Sequence, residues 1–212
     1  MKDLLQKEYP AFFKVMGKYV ISSFEKEGDF ALNDEKACSE CRAKGVQQCS
    51  DSDSDANMLV HSDHALTIVD IESFLTQFDG KRAGERERCD KMLYDARKIV
   101  FVDFYCGLQK YVPRYTNTRG DQPGKLAKAR LQINSTVEKI CEVPAINERM
   151  AEYTTKEGIF ACRIKSRVTD TSLLGAPSME TFLMSTPQME GYTAIAQGFR
   201  FRMLEFPTKY EW

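Results

Sequence analysis

Two aspartates stand where carboxylates are costly. Asp103 interrupts the apolar run Ile99, Val100, Phe101, Val102, Phe104, and Asp90 heads the short stretch Met92-Leu93-Tyr94 before it. If these stretches are neighbouring strands, both side chains can reach one region of a sheet. Burying an unpaired carboxylate is strongly unfavourable, and two close together also repel. A shared proton, a basic partner or a divalent cation relieves the conflict, and hard cations such as Mg²⁺ prefer oxygen ligands of this kind. A structural reading stands beside the chemical one. Asp90 can end a strand and pair with Arg88 or Lys91, and Asp103 can pair with Arg163 or Arg130.

The elements that must position these residues follow from pattern. Leu5, Phe12, Phe13, Met16, Tyr19, Val20 and Phe24 recur at mostly three- and four-residue spacing, which predicts helix from Asp3 to about Glu27. Pro10 is a break or kink in it and Gly28 its stop. Strands are expected over His64–Leu75, Arg88–Tyr94 and Lys98–Cys106, the last nearly continuous in apolar character, as a central strand should be. A Pro- and Gly-containing loop follows. Then comes a helix over Gly124–Val143, stopped by Pro144, and a turn or two of helix over Ile146–Tyr153. Gly158–Lys165 is a strand, and Gly198–Phe206 alternates as a final, partly exposed one. The result is an α/β fold in a single domain: a polar Cys-containing insertion at 29–63, a core at 64–165 and a C-terminal extension at 166–212.

At this point a resemblance becomes specific. Cys89-Asp90 heads one strand; Phe101-Val102-Asp103-Phe104-Tyr105 forms the next. Ala129-Arg130-Leu131-Gln132-Ile133 lies on the following helix, with Thr136 after it. This resembles the PD-(D/E)xK nuclease superfamily, the restriction-endonuclease-like fold, and within it small standalone bacterial members. Their pattern is a Cys-Asp pair, a Phe-Val-Glu-Leu-Lys strand, and a helix with Ala-x-x-Gln-Leu and then threonine. The likeness spans roughly Ile68 to Lys165. It implies a central mixed β-sheet flanked by helices and hydrolysis of DNA phosphodiesters with Mg²⁺ or Mn²⁺ held by Asp90 and Asp103. It also implies a setting in bacterial defence or a mobile element. Glu25 or Glu27, at the end of the first helix, is the candidate for an extra acid, and Gln132 faces the active strands.

One position departs from the pattern. Tyr105 stands where the family has its lysine, and tyrosine supplies no cation. Lys91, Lys110 and Lys128 are the candidates to replace it, and Lys128 is favoured because its helix passes near the site. A catalytically inactive nuclease-like domain, serving as an interaction or scaffold subunit of a defence complex, is the alternative.

Composition frames the partners. The 212-residue chain carries a net charge of −1, so no overall basic field attracts nucleic acid. The exception is local: Arg114, Arg119, Lys125 and Arg130, with Lys128, form a candidate phosphate-contacting surface. A near-neutral chain without a DNA-reading module is expected to work with a protein partner or as a homo-oligomer. No apolar stretch approaches the roughly 18 residues of a membrane span, and no signal-peptide pattern is present, so a cytoplasmic location is expected. Seven cysteines without such a signal read as thiols; Cys89, Cys106, Cys141 and Cys162 lie in apolar patterns and are expected to be buried. Cys38-x-x-Cys41, Cys49 and His61 are a candidate structural Zn²⁺ set, with His64 nearby, although one CxxC without a second pair is an incomplete signature. The Asp51–Asp55 run is solvated and lacks the spacing of a calcium loop.

Overall fold

The computed structural model describes residues 1–33, 56–81, 87–118, 120–164 and 195–212. Helix α1 (Lys2–Phe12) buries Leu5 and Tyr9, one turn apart on one face. Pro10 lies inside it without ending it, and the turn closes at Phe13, after which Lys14 adopts φ 54°. The long N-terminal helix expected from spacing therefore stops early. Residues 23–32 are strand β1 (Ser23–Leu32), in which Glu25, Glu27 and Asp29 are exposed at every second position. That period of two belongs to a strand, and the three carboxylates mark its solvent face. Gly28, with φ 74°, sits where the register with the next strand shifts, a bulge that its missing Cβ permits.

Strand β2 (Met58–Asp70) is followed directly by helix α2 (Ile71–Thr76). The strand expected to reach Leu75 ends at Asp70 because the Asp70 carboxylate accepts the Ser73 N–H at 3.0 Å and caps the helix. Strands β3 (Lys91–Tyr94) and β4 (Lys98–Gly107) form an antiparallel hairpin. Asp95 fixes its turn: its Oδ1 accepts the backbone N–H groups of Arg97 and Lys98 at 2.6 and 2.7 Å. A small hairpin, β5 (Tyr115–Asn117) and β6 (Gly120–Gln122), precedes α3 (Lys125–Cys141). Pro144 opens α4 (Pro144–Ala151) as its first residue, a position where its absent N–H costs nothing. Strand β7 (Thr155–Ile164), then β8 (Arg200–Glu205) and β9 (Lys209–Glu211), complete the chain.

These strands form one mixed seven-stranded sheet in the order β1-β2-β3-β4-β7-β8, with β9 parallel on β2. β1 through β4 run antiparallel; β7 and β8 join parallel to β4. The inferred insertion is thus narrower than 29–63, since β1 and β2 extend into it, and the C-terminal extension contributes two strands to the main sheet. Helices α1 to α4 cover one face, where Tyr9, Phe74, Phe101, Ile133 and Phe160 belong to one cluster. The other face is covered by the sheet itself. Phe30, Met58 and Val60 pack with Val102, Ile159, Leu204 and Tyr210, and β2 touches β7 although the two are not neighbours in the sheet. Among the described residues, no helix is long and apolar enough to cross a membrane.

Candidate functional site

The hairpin turn at Asp95 decides what meets what. It pairs Tyr94 with Ile99 and Lys91 with Val102. Asp90 immediately precedes β3 and meets β4 beside Asp103. On β4, Phe101, Asp103 and Tyr105 alternate onto the helix-covered face, so Asp103 points toward α3 and is only 7% exposed. The Asp90 N–H donates to Val102 O at 3.0 Å, and the Asp90 Oδ2 accepts the Phe104 N–H at 2.6 Å. The first carboxylate is thereby tied to the backbone next to the second.

Helix α3 holds this end of the hairpin in place. The buried Thr136 hydroxyl accepts the Cys89 N–H at 3.0 Å and donates to Gln132 O at 2.8 Å. The Gln132 amide in turn donates to Arg88 O at 2.8 Å. Two side chains one turn apart on α3 thus grip consecutive residues of the segment that carries Asp90. The cysteine of the Cys-Asp pair is fully buried, and desolvation raises its thiol well above the ordinary value, which makes it packing material rather than a nucleophile.

A cavity of about 160 Å³ opens at this point, lined by Asp90, Asp103, Phe104, Tyr105, Lys125, Lys128, Gln132 and Phe160. Two carboxylates, two lysines and three aromatic residues thus share its lining. Tyr105, at the position of the missing lysine, donates its hydroxyl to Leu108 O at 3.0 Å, and burial raises its pKa. Of the three lysines considered as replacements, Lys128 lines the cavity. Lys91 is buried on the opposite face, 3.5 Å from Asp70, and Lys110 lies over the Tyr111 ring. Lys125, expected only as a phosphate contact, is a second cation in the cavity wall, 5.8 Å from the Tyr105 ring centre. The sequence signal for it was helical spacing: positions 125, 128 and 132 share one face of α3.

Two of the proposed ion-pair partners, Arg88 and Arg163, are engaged elsewhere. Arg88 binds Asp79 Oδ1 at 2.5 Å and Thr76 Oγ1 at 2.9 Å. Arg163 lies on the sheet face away from Asp103, donating to Ala56 O and covering the Phe206 ring. Arg130 is half-buried on α3 and is not among the residues lining the cavity.

Glu25 is not brought to the site. It lies exposed on β1 opposite Thr67, three strands from β4, hence about 14 Å to the side at the usual strand spacing. Arg114 is exposed on the approach to the small hairpin and pairs with Asp121 at 2.9 Å. His61 is exposed on β2, its ring nitrogens 2.7 Å from Asp29 and 3.3 Å from Asp63. The hydrogen bond that its ring donates to Asp29 raises its pKa. Cys38, Cys41 and Cys49, its expected partners in a zinc site, lie outside the described residues, as does Arg119.

Among the described residues, no group of three or more His, Cys, Asp or Glu is placed to hold a metal ion. Asp90 and Asp103 nevertheless suit Mg²⁺ by donor chemistry, because that ion keeps several waters and commonly takes only one or two carboxylates. Comparison with protein-family models, curated proteins and solved structures finds no match.

Proposed function

We propose that the chain is a metal-dependent phosphodiesterase acting on DNA, built on a restriction-endonuclease-like core. The observation that supports this most is the meeting of Asp90 and Asp103 in one cavity with Lys125 and Lys128. A divalent cation bound by the two carboxylates would supply the charge that polarises a water and neutralises a phosphate. Lys128, exposed at the rim, and Lys125, half-buried beside Tyr105, add positive charge where a phosphodiester would enter. Fixed cations at such a point favour the developing negative charge of the transition state. Gln132 is spent on Arg88 O, so its part is to position the Asp90 segment. A mixed sheet packed against helices, with α3 between the β3–β4 hairpin and the parallel β7, supports the reading at the level of fold class.

A second reading rests on Tyr105. Its hydroxyl is committed to Leu108 O, and the position where the family carries a catalytic cation is closed by packing. This favours a catalytically inactive nuclease-like domain that serves as an interaction subunit. Cleavage of single- and double-stranded DNA with Mg²⁺ and then Mn²⁺ separates the two. Wild type is compared with Asp90→Ala, Asp103→Ala, Lys125→Ala and Lys128→Ala, each checked for native circular dichroism. Metal-dependent cutting that both aspartate substitutions abolish supports the enzyme, and the lysine whose loss costs more is the stand-in cation. No cutting, with no Mn²⁺ binding by calorimetry, supports the inactive domain.

A further inference from the structure

The segment between β4 and α3 has a composition unlike the rest of the chain. From Leu108 to Gly124 it holds three cationic side chains, Lys110, Arg114 and Arg119, against the single carboxylate of Asp121, and the first turn of α3 adds Lys125 and Lys128, within a protein of net charge −1. It also holds two tyrosines. The Tyr111 and Tyr115 rings pack edge to face, 4.8 Å between centres, with the Lys110 ammonium 5.1 Å from the Tyr111 ring centre. Both tyrosines keep part of their surface exposed, and Lys110 and Arg114 are exposed beside them.

This segment is rooted at the cavity. The Tyr105 hydroxyl bond to Leu108 O turns the chain out of β4, and the Leu126 N–H donates to Val112 O at 3.1 Å as the chain returns into α3. Between these points the two stems touch. A Cβ on Gly124 would lie 2.1 Å from Pro113 O and 2.2 Å from Val112 O, an approach that only glycine allows. The next residue after Gly124 is Lys125 in the cavity wall. Within the hairpin, Asp121 binds Arg114 at 2.9 Å and Thr116 at 2.7 Å, which cross-links its two sides.

We propose that this segment is a stacking platform for single-stranded DNA, delivering the strand to the Asp90–Asp103 cavity. The inference rests on the nuclease reading and adds its substrate class. Half-exposed aromatic rings interleaved with cations match unpaired bases on a phosphate backbone. A duplex turns its bases inward and offers those rings nothing to stack on. The lysines contact phosphate on either form, whereas the tyrosines gain only from the single strand.

The test is fluorescence anisotropy in EDTA, so that no strand is cut, with a labelled oligothymidylate and a labelled blunt duplex. Tyr115→Ala is expected to weaken oligothymidylate binding by about 5- to 150-fold, the range for one stacked base. Duplex binding should change less than about twofold, and Tyr115→Phe should bind oligothymidylate as wild type does. Lys110→Ala should weaken both forms and reduce the salt dependence by about one unit of slope. Equal weakening of both forms by Tyr115→Ala, an unchanged oligothymidylate affinity, or no binding by wild type would overturn the platform. The nuclease reading is judged separately by Mn²⁺ calorimetry and by cutting. Metal binding lost in Asp103→Ala, together with unaltered strand binding in Tyr115→Ala, removes the platform and leaves the nuclease.

Discussion

Replacing Thr136 by valine tests whether α3 holds the Asp90 segment through one hydroxyl. Valine keeps the branched shape, so little cavity forms, and the change isolates the polar contacts. Thr136 is fully buried and makes two of them: it accepts from the Cys89 N–H and donates to Gln132 O. The second is nearly neutral, because a helix carbonyl four residues back already serves the backbone ladder. The first is not, since Cys89 is itself fully buried and its N–H would be left without an acceptor. An unsatisfied buried donor costs about 1–3 kcal/mol. For a chain of this size that corresponds to a fall of about 2–12 °C in Tm. Urea unfolding gives the free energy, and amide exchange locates it. The Cys89 amide should exchange about tenfold faster or more in Thr136→Val and stay slow in Thr136→Ser, which keeps the hydroxyl. A stability change below about 0.5 kcal/mol with Cys89 still protected would refute the reasoning, since such a value is ordinary for a surface site.

Gly124→Ala should destabilise by more than the usual overpacking cost of about 1–3 kcal/mol, because the new methyl meets backbone at 2.1–2.2 Å and not a movable side-chain tip; a Tm within about 1 °C of wild type would show that the two stems part easily. Asp95 gives the pH dependence. Burial pushes its carboxyl up, but donors from Trp212, Lys98, His64 and Arg97 outweigh this and hold it at about 2, against an ordinary 3.8. A depressed carboxylate stabilises the fold above its unfolded value, and that contribution is lost as pH falls through the folded one. Thermal unfolding between about pH 5 and pH 2 should therefore show a progressive loss, reduced in Trp212→Phe, which removes one donor. Equal acid sensitivity in the two proteins would assign that loss to other groups.

Much of the architecture was legible because its signals are local. The apolar run of β4, the periodicity of α3 and the stop at Pro144 each fit one element and no other. The meeting of Asp90 and Asp103 in one cavity was legible only as a conditional, since it depends on the β3–β4 hairpin, whose turn Asp95 fixes. The N-terminal segment misled because Phe24 falls at helical spacing after Val20, whereas the alternation of Glu25, Glu27 and Asp29 carries the true period. Asp70 falls inside the stretch read as a strand over His64–Leu75, and it is in fact a helix cap. Glu25 fails as a third acid for the same reason that the long helix fails: on a strand it belongs to the far edge of the sheet. Helical spacing put Lys125 on one face with Lys128 and Gln132, but not its nearness to Tyr105, which lies twenty residues away on another element.

The last strand has a consequence for self-association. β9 lies on β2 at Leu59–His61, on the stretch of that strand beyond its pairing with β3 at Thr67–Asp70. Trp212 then fastens the strand, its N–H to His61 O at 3.0 Å and its indole to Asp95 at 2.7 Å. The paired residues are about 150 positions apart, so this contact is among the last that the chain can make. Until it forms, β2 offers an open ladder edge beside Val60 and Met58, the kind of surface on which chains add to one another. Residues 209–212 therefore work as a built-in guard against aggregation. Removing them would unmask an adhesive edge while leaving the Asp90–Asp103 cavity, on the other face of the sheet, chemically intact.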